Sequence, residues 1–365
     1  MIPYYIILLS LFFASFLFKK DDKEQALFFI FAAFLLAIFA ALRDHIGADY
    51  TSYVLIYEES PTDWEGIFHY DGHSELGFLF LCYILKILGF SYYFLFFVTS
   101  FGTSILLYKA CRNFSSGYLI LNLCIYFSLF YLRFHFNIIR HGIIVSLVWV
   151  AFSYAYKKNL KVFLFFILIA ASFHSLSFFF IPFYWLLNRK YSNLFIISIL
   201  LFSVVLGFVI PIWDYILEYA SGILFGDKIA YYVTDYYANT DNASVGITLG
   251  LVINMLLLLF LKVYNRQFSN IVAFQFLCNS LLFAIIFSLL FNKYGVFVER
   301  IVSVFYVAII FLLPPFLIGL TKNTKVRILL MFLLLIYSFI ALTKVLSSLD
   351  ESGDFQFVPY KTILT

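Results

Sequence analysis

Polar side chains are scarce in this sequence, and the first group that could do chemistry lies between Arg43 and Tyr53. Asp49, Tyr50 and Tyr53 are spaced so that a short helix can present a carboxylate and two aromatic rings together. This combination suits sugars, because carboxylate oxygens accept hydrogen bonds from hydroxyl groups while the rings cover apolar sugar faces. A solvated acidic loop with tyrosines at a membrane interface would contain the same residues.

A second group, residues 133–142, collects four potential cations: Arg133, His135, Arg140 and His141. Guanidinium groups present forked donors that match phosphate oxygens, and the start of a helix adds backbone N–H groups facing the same anion. The stretch therefore predicts a site for a phosphate or diphosphate. Arginines that simply extend to the polar membrane surface are an equally simple interpretation.

Two further positions interrupt apolar segments. His174 lies between two short apolar runs, where an imidazole can exchange a proton with a hydroxyl group near neutral pH, although a core histidine or a helix cap would also fit there. Arg300 follows Glu299 at the start of a late segment. Because a guanidinium inside lipid is costly, we expect Arg300 to face a cavity or the headgroups, with Glu299 as the simpler partner.

The elements that position these groups must be membrane helices. Of 365 residues, 64% are hydrophobic and 12% are charged, which is more apolar than a water-soluble domain. Lipid offers no hydrogen-bond partners and the apolar runs do not alternate, so they predict an all-α polytopic membrane protein. The expected segments are 2–18, 26–42, 77–89, 91–108, 114–132, 138–156, 161–173, 176–187, 193–211, 246–263, 269–291, 297–320 and 326–346.

Basic residues predict the orientation of these segments. Short loops rich in Lys and Arg are expected in the cytoplasm, which places the long polar intervals 43–75 and 212–245 outside. The basic loop that begins at Lys109 is expected in the cytoplasm, so the chain must cross an odd number of times between residue 76 and Lys109. Two apolar segments lie in this stretch. The shorter one, 77–89, is therefore predicted to be re-entrant or interfacial. We expect about twelve crossings in one transmembrane domain, residues 1–346, and an outward-facing tail, residues 347–365.

Several common chemistries have no motif here. The sequence contains no Walker loop, GxGxxG, HExxH or GxSxG motif, and no Asp-x-Asp pair that would hold a nucleotide sugar through a metal. The four cysteines are isolated and are expected to be core residues. A net charge of +4 spread over short loops does not predict a nucleic-acid partner, and neither a metal nor another cofactor is expected.

The same polar groups carry a resemblance to a known family. Arg43, then Gly47-x-Asp49-Tyr50-x-x-Tyr53, followed by Glu75-x-Gly77-Phe78, is similar to the EpsG/Wzy-type family of bacterial exopolysaccharide and O-antigen repeat-unit polymerases. Three other family steps have counterparts: Ile139-Arg140-His141, with His where Gln is usual, Phe173-His174-Ser175, which is contracted, and Arg300 at the start of a late span.

The resemblance implies a membrane-embedded glycosyltransferase with a GT-C-like fold. Such an enzyme would polymerise undecaprenyl-diphosphate-linked oligosaccharide repeat units of an O-antigen, capsule or exopolysaccharide. It would act on the outer face of the bacterial cytoplasmic membrane, without a cofactor, in contact with membrane lipid and alongside a flippase and a chain-length regulator. A transporter or flippase of lipid-linked oligosaccharide is the alternative from another class, and an O-antigen ligase or membrane acyltransferase is a second.

Roles for individual residues follow from the resemblance. The expected diphosphate ligands are Arg43, Arg133, Arg140 and Arg300. Asp49 or His174 would accept the proton from the attacking hydroxyl group. Tyr50, Tyr53 and Glu75 are expected to contact sugars, and the tyrosines of the second long loop would add stacking surfaces, namely Tyr231, Tyr232, Tyr236 and Tyr237.

Overall fold

A computed structural model of the chain describes residues 1–18, 22–70, 74–209, 248–264, 268, 271–292, 295–349 and 353–364. Throughout these ranges the regular secondary structure is helical, apart from two isolated β-bridges. Five helices are long and apolar enough to cross a bilayer: Lys23–Ala41, Tyr92–Phe114, Ile139–Tyr156, Glu299–Gly319 and Thr324–Leu346. The predicted class, an all-helical membrane protein, is confirmed, while the number of crossings and the GT-C-like fold stay predictions.

The first half of the chain forms ten α-helices. They are α1 (Ile2–Leu17), α2 (Asp22–Ala41), α3 (Tyr50–Glu59), α4 (Trp64–Phe68), α5 (Leu76–Ile87), α6 (Tyr92–Phe114), α7 (Leu119–Tyr126), α8 (Ile139–Tyr156), α9 (Leu160–Phe173) and α10 (Phe183–Leu186). Helix α7 continues into two π-helical turns, Phe127–Tyr131 and Arg133–Asn137, and a 3₁₀ segment, Ser175–Phe180, follows α9. π-Helical turns often occur at functional sites, and here they lead into the second polar group.

Six more helices complete the described part. They are α11 (Asn193–Val204), extended by a π-helical turn (Val205–Val209), α12 (Leu249–Val263), α13 (Phe274–Leu290), α14 (Gly295–Tyr306), α15 (Ala308–Gly319) and α16 (Thr324–Leu346). Polar residues fix several of the helix starts. At four of them, the side chain before the helix accepts a hydrogen bond from a backbone N–H in the first turn. These capping residues are Asn159, Ser192, Thr248 and Asn323.

Contacts divide the chain into two compact units. The first comprises Met1–Tyr184 with Ile310–Thr365, and the second comprises Trp185–Ile309. In the first unit, α8 is the most enclosed of the long helices, since all but three of its 18 residues are buried. Arg140 is one of those three. Its position at the beginning of a central helix places a charge where the apolar core ends.

Helix α5 lies at one end of the first unit. Arg43, which follows α2, has its guanidinium carbon 4.1 Å from the centre of the Phe96 ring in the first turns of α6. The chain therefore begins α6 at the end of the bundle where α2 stopped, and we call this the Arg43 end. Lys86, near the end of α5, donates to the backbone oxygen of Glu58 at 2.8 Å, so α5 remains there too. Its length of about 18 Å is well short of a bilayer core, and its interfacial or re-entrant placement stays a prediction.

Candidate functional site

Three side chains from three different elements meet at the Arg43 end. Glu75 precedes α5, Arg140 lies in the first turn of α8, and His174 follows α9. Oε2 of Glu75 accepts a hydrogen bond from Nη1 of Arg140 at 2.8 Å, and Oε1 lies 3.3 Å from Nδ1 of His174. Each side chain keeps between 22% and 26% of its surface exposed, so a ligand can reach the group. One carboxylate thus connects Arg140 and His174, which belong to separate groups in the sequence.

Tyr53, on α3, also contacts Arg140. Its hydroxyl accepts a hydrogen bond from the backbone N–H of Arg140 at 3.5 Å. Burial raises the pKa of Tyr53, the neighbouring Arg140 lowers it and Asp49 raises it, with a net upward shift that keeps the phenol protonated at neutral pH. Tyr53, Glu75, Arg140 and His174 are called the Glu75 cluster from here on.

Gly77 explains why the cluster can form. A Cβ atom at this position would lie 2.7 Å from the backbone oxygen of Ser172, which is closer than real Cβ contacts allow. Glycine therefore lets the start of α5 approach the end of α9, and this approach brings Glu75 against His174. Phe78 follows on the buried side, where its ring centre lies 5.8 Å from the Arg140 guanidinium carbon. The Glu75-x-Gly77-Phe78 step thus has a structural basis at every fixed position.

His174 has two competing partners for the same nitrogen. The backbone N–H of Leu176 donates to Nδ1 at 3.3 Å, and Glu75 lies at the same distance from that atom. A neutral imidazole accepts at one nitrogen and donates at the other. When Nδ1 carries the proton it can donate to Glu75, which leaves the lone pair on Nε2. When Nδ1 accepts from Leu176, Nε2 carries the proton, so the surroundings support both tautomers that a proton-exchanging residue uses.

Arg43 is located differently from what the sequence suggested. Its side chain is fully buried, and Nη1 donates to the backbone oxygens of Ala40 and His135, both at 2.8 Å. Burial is the main cause that lowers the pKa of Arg43, to about 10, so the group stays charged at neutral pH. Arg43 therefore joins the end of α2 to the π-helical turn before α8, and its buried side chain offers no surface to a ligand such as the diphosphate expected from the sequence.

The predicted sugar-stacking tyrosines also lie in the core. Tyr50 is 2% exposed and Tyr53 5% exposed, and with Tyr57 they line the inner face of α3. The predicted short helix exists, but its aromatic face packs against α5 and α6, so it does not offer open rings to a sugar. Exposed aromatic rings in the same loop belong instead to Trp64 and Phe68, which sequence reasoning missed. Their spacing of four residues, as on one helix face, was the available signal.

The two histidines of the second polar group, residues 133–142, lie in the core and not at an open site. His135 is buried, with Nδ1 2.6 Å from the Ser100 hydroxyl and Nε2 2.7 Å from the Tyr126 hydroxyl. It is a core histidine with both ring nitrogens occupied. His141 is buried as well, beside the Phe134 ring.

The remaining predicted site residues lie on other elements. Arg133 is exposed on a π-helical turn, and Asp49 is half-buried directly before α3. Arg300 is half-buried on α14 of the second unit. The roles proposed for these three residues stay predictions. The four loop tyrosines, Tyr231, Tyr232, Tyr236 and Tyr237, lie outside the described residues.

The C-terminal tail packs onto the Arg43 end, which the sequence did not reveal. Asn137 donates to the side-chain oxygen of Gln356 at 2.8 Å and accepts from the backbone N–H of Ala48 at 3.0 Å. The backbone oxygen of Gln356 accepts from Gly47 at 3.0 Å. Since Ala48 precedes Asp49 and Asn137 lies three residues before Arg140, the tail fixes the segments that carry two predicted site residues.

These features define a multi-pass helical membrane protein with a partly exposed ionic cluster at one end of its bundle. The chain belongs to the EpsG family, whose model matches residues 26–362, and the resemblance drawn from the sequence is thereby confirmed. Membership points to a polysaccharide polymerase-type membrane protein. No curated protein and no solved structure matches the chain.

Proposed function

We propose that the protein is a membrane glycosyltransferase that polymerises oligosaccharide repeat units carried on undecaprenyl diphosphate, at the outer face of the bacterial cytoplasmic membrane. The observation that carries this proposal is the carboxylate of Glu75 between Arg140 and His174. Family membership supports the class of reaction. The partial exposure of all three side chains supports access by a substrate.

The reaction joins two lipid-linked units. A sugar hydroxyl of one unit attacks C1 of the sugar attached to the diphosphate of the other. The new C1–O bond forms as the bond to the diphosphate oxygen breaks, and the electron pair leaves with the lipid diphosphate. The hydroxyl proton must be accepted by a base, and the negative charge that develops on the leaving oxygen must be stabilised.

The Glu75 cluster can meet both requirements. Arg140 would donate to the diphosphate, because its guanidinium group is partly exposed and presents N–H donors in a forked geometry that matches phosphate oxygens. His174 would accept the proton at Nε2 while Nδ1 donates to Glu75. Glu75, which the sequence suggested as a sugar contact, then holds the tautomer that leaves Nε2 unprotonated. Asp49 and Arg133 would contact the sugar and the diphosphate from the adjoining segments.

The test is direct. Purified protein in detergent is mixed with its cognate lipid-linked repeat unit, with no nucleotide or added metal, and the products are resolved on a gel. We expect a ladder of products, and we expect His174→Gln and Arg140→Gln to lose it while remaining folded. Arg112→Gln is the matched control, because Arg112 is exposed in the last turn of α6, at the other end of the bundle.

Two results would contradict the proposal. A verified substrate that gives no ladder, but moves across the membrane of vesicles containing the protein, would favour the transporter. A ladder of unchanged intensity from both folded cluster variants would leave the polymerase activity in place and remove the cluster from its mechanism.

A further inference from the structure

A cavity of about 370 Å³ lies at the opposite end of the first unit from the Glu75 cluster. Its lining includes Gln25 at the beginning of α2, whereas Arg43 follows the end of the same helix, about 30 Å away. We call this the Gln25 end. The other walls come from the end of α1, the segment 117–121, the end of α15 and the beginning of α16. The cavity thus lies at one membrane surface if the Glu75 cluster lies at the other.

The walls of the cavity are mainly apolar, with a cation among them. Phe16, Ile120 and Met331 contribute hydrophobic surface, and Arg327 contributes its guanidinium group. Nη2 of Arg327 donates to the backbone oxygen of Thr321 at 3.1 Å. Its Nε is buried and has no hydrogen-bond partner within the described residues. A buried N–H donor without a partner is costly, so this group favours an acceptor that the protein itself does not supply.

The surroundings of the cavity have an excess of positive charge. Lys322 and Lys325 are exposed beside Thr324, which lines the cavity, and Lys23 is exposed close to Gln25. Glu24 is the one exposed carboxylate among the described side chains of these two segments. A positive rim around an apolar cavity matches a molecule with an anionic head and a hydrocarbon body.

We propose that this cavity binds a phospholipid with an anionic headgroup. The phosphate would accept hydrogen bonds from Arg327, and the first carbons of an acyl chain would fill the space against Phe16, Ile120 and Met331. The volume equals that of about twelve water molecules, which is enough for these parts of a lipid but not for a whole one. The remaining chain can continue along exposed apolar side chains of α16, such as Leu329 and Phe332.

The experiment measures lipid retention by native mass spectrometry on the purified full-length protein. Phosphatidylglycerol and phosphatidylcholine with identical chains are titrated separately. We expect one phosphatidylglycerol to be retained in preference to phosphatidylcholine, and Arg327→Gln to weaken its binding about tenfold, because one charge-assisted contact is lost. Arg112→Gln removes an exposed cation outside the lining of the cavity and should leave binding unchanged.

A second variant separates the lipid from a simple anion site. Thr324→Trp places a bulky side chain at an exposed lining position, so it should block the lipid without disturbing the core. Equal retention of both lipids, or binding unaffected by both variants, would overturn the proposal. Displacement of phosphatidylglycerol by millimolar inorganic phosphate would also overturn it, because the site would then recognise a free anion and not a lipid.

Discussion

Nδ1 of His174 lies 3.3 Å from Oε1 of Glu75, while Oε2 of the same carboxylate accepts a hydrogen bond from Arg140 at 2.8 Å. The distance matters because it links two residues with different tasks. A carboxylate beside an imidazole favours the protonated form of that ring and fixes its orientation. A carboxylate beside a guanidinium group holds it in one place but also neutralises part of its charge. Glu75 therefore affects both the proton acceptor and the phosphate ligand of the proposed reaction.

Replacing Glu75 should test this double role. Glu75→Gln keeps the shape of the side chain but removes its charge, and we expect the polymerisation rate to fall by about a hundredfold. The imidazolium form of His174 loses a stabilising neighbour, so the acidic limb of the rate–pH profile should move to lower pH. A residue with a purely structural role would lower the rate without moving that limb. The measurement is the initial rate of ladder formation between pH 5 and pH 8, the range in which histidine titrates.

A double-mutant cycle provides the control for that experiment. Glu75→Gln and Arg140→Gln are measured alone and together, both for rate and for thermal unfolding. Because the two side chains are in contact, the loss in the double variant should be smaller than the sum of the single losses. Fully additive effects on rate would show that the two residues act independently.

Gly77→Ala should separate α5 from α9. Its methyl group would meet the backbone oxygen of Ser172 at 2.7 Å, and backbone cannot yield as a flexible side chain would. We expect a loss of about 1–3 kcal/mol in the free energy of unfolding, together with reduced activity, since Glu75 moves away from His174. Gly102→Ala is the matched control, because nothing lies within 4 Å of a Cβ at that position in α6. That change should be neutral or slightly stabilising. Equal unfolding temperatures for the two variants would contradict this account of Gly77.

Arg43 should prove to be a structural residue. Arg43→Met removes the donor to the backbone oxygens of Ala40 and His135, which then remain buried without it. We expect a loss of about 2–4 kcal/mol in the free energy of unfolding. A diphosphate ligand would behave differently, with a weaker apparent affinity for the lipid-linked substrate and little change in stability. Thermal unfolding and substrate titration of the same preparation distinguish the two outcomes.

Much of the architecture could be predicted from the sequence, because lipid makes the apolar pattern decisive. Every predicted apolar segment contains a helix, and the break at His174 lies where α9 ends. The candidate site was predicted less well. Glu75, Arg140 and His174 were all named, but the contact between them depends on how closely α5 approaches α9. Spacing along the chain contains no information about such a distance.

The errors have a common physical cause. Arg43, Tyr50 and Tyr53 were assigned to ligands because charged and aromatic residues in a loop are usually accessible, yet here the loop folds back onto the bundle and buries them. Tyr53 and Tyr57 follow Tyr50 at the spacing of one helix face, so burial was available as an interpretation. The tail contacts could not be foreseen, since Gln356 and Asn137 are 219 residues apart.

Cysteine labelling should show that α5 does not cross the membrane. Thr62→Cys and Ser91→Cys lie on either side of α4 and α5, and both positions are exposed. The native cysteines are buried, so background labelling with a membrane-impermeant maleimide should be low. We expect both variants to be labelled from the outside of intact cells, whereas Lys157→Cys, exposed after α8, should be labelled only after permeabilisation. Labelling of Thr62→Cys and Ser91→Cys from opposite sides would contradict the placement of α5.

The C-terminal tail should be needed for both stability and activity. Tyr360 donates to the backbone oxygen of Phe39 at 2.6 Å and stacks on that ring at 4.2 Å, so Tyr360→Ala should cost about 1–2 kcal/mol in the free energy of unfolding.

Gln356→Ala removes the acceptor of Asn137, and Asn137 links the segment before α3 to the segment before α8. It should therefore lower the polymerisation rate more than it lowers stability. Lys361→Ala, an exposed side chain in the same tail, is the control and should change neither. If Gln356→Ala has full activity, the tail only anchors the chain end and does not help to position Arg140.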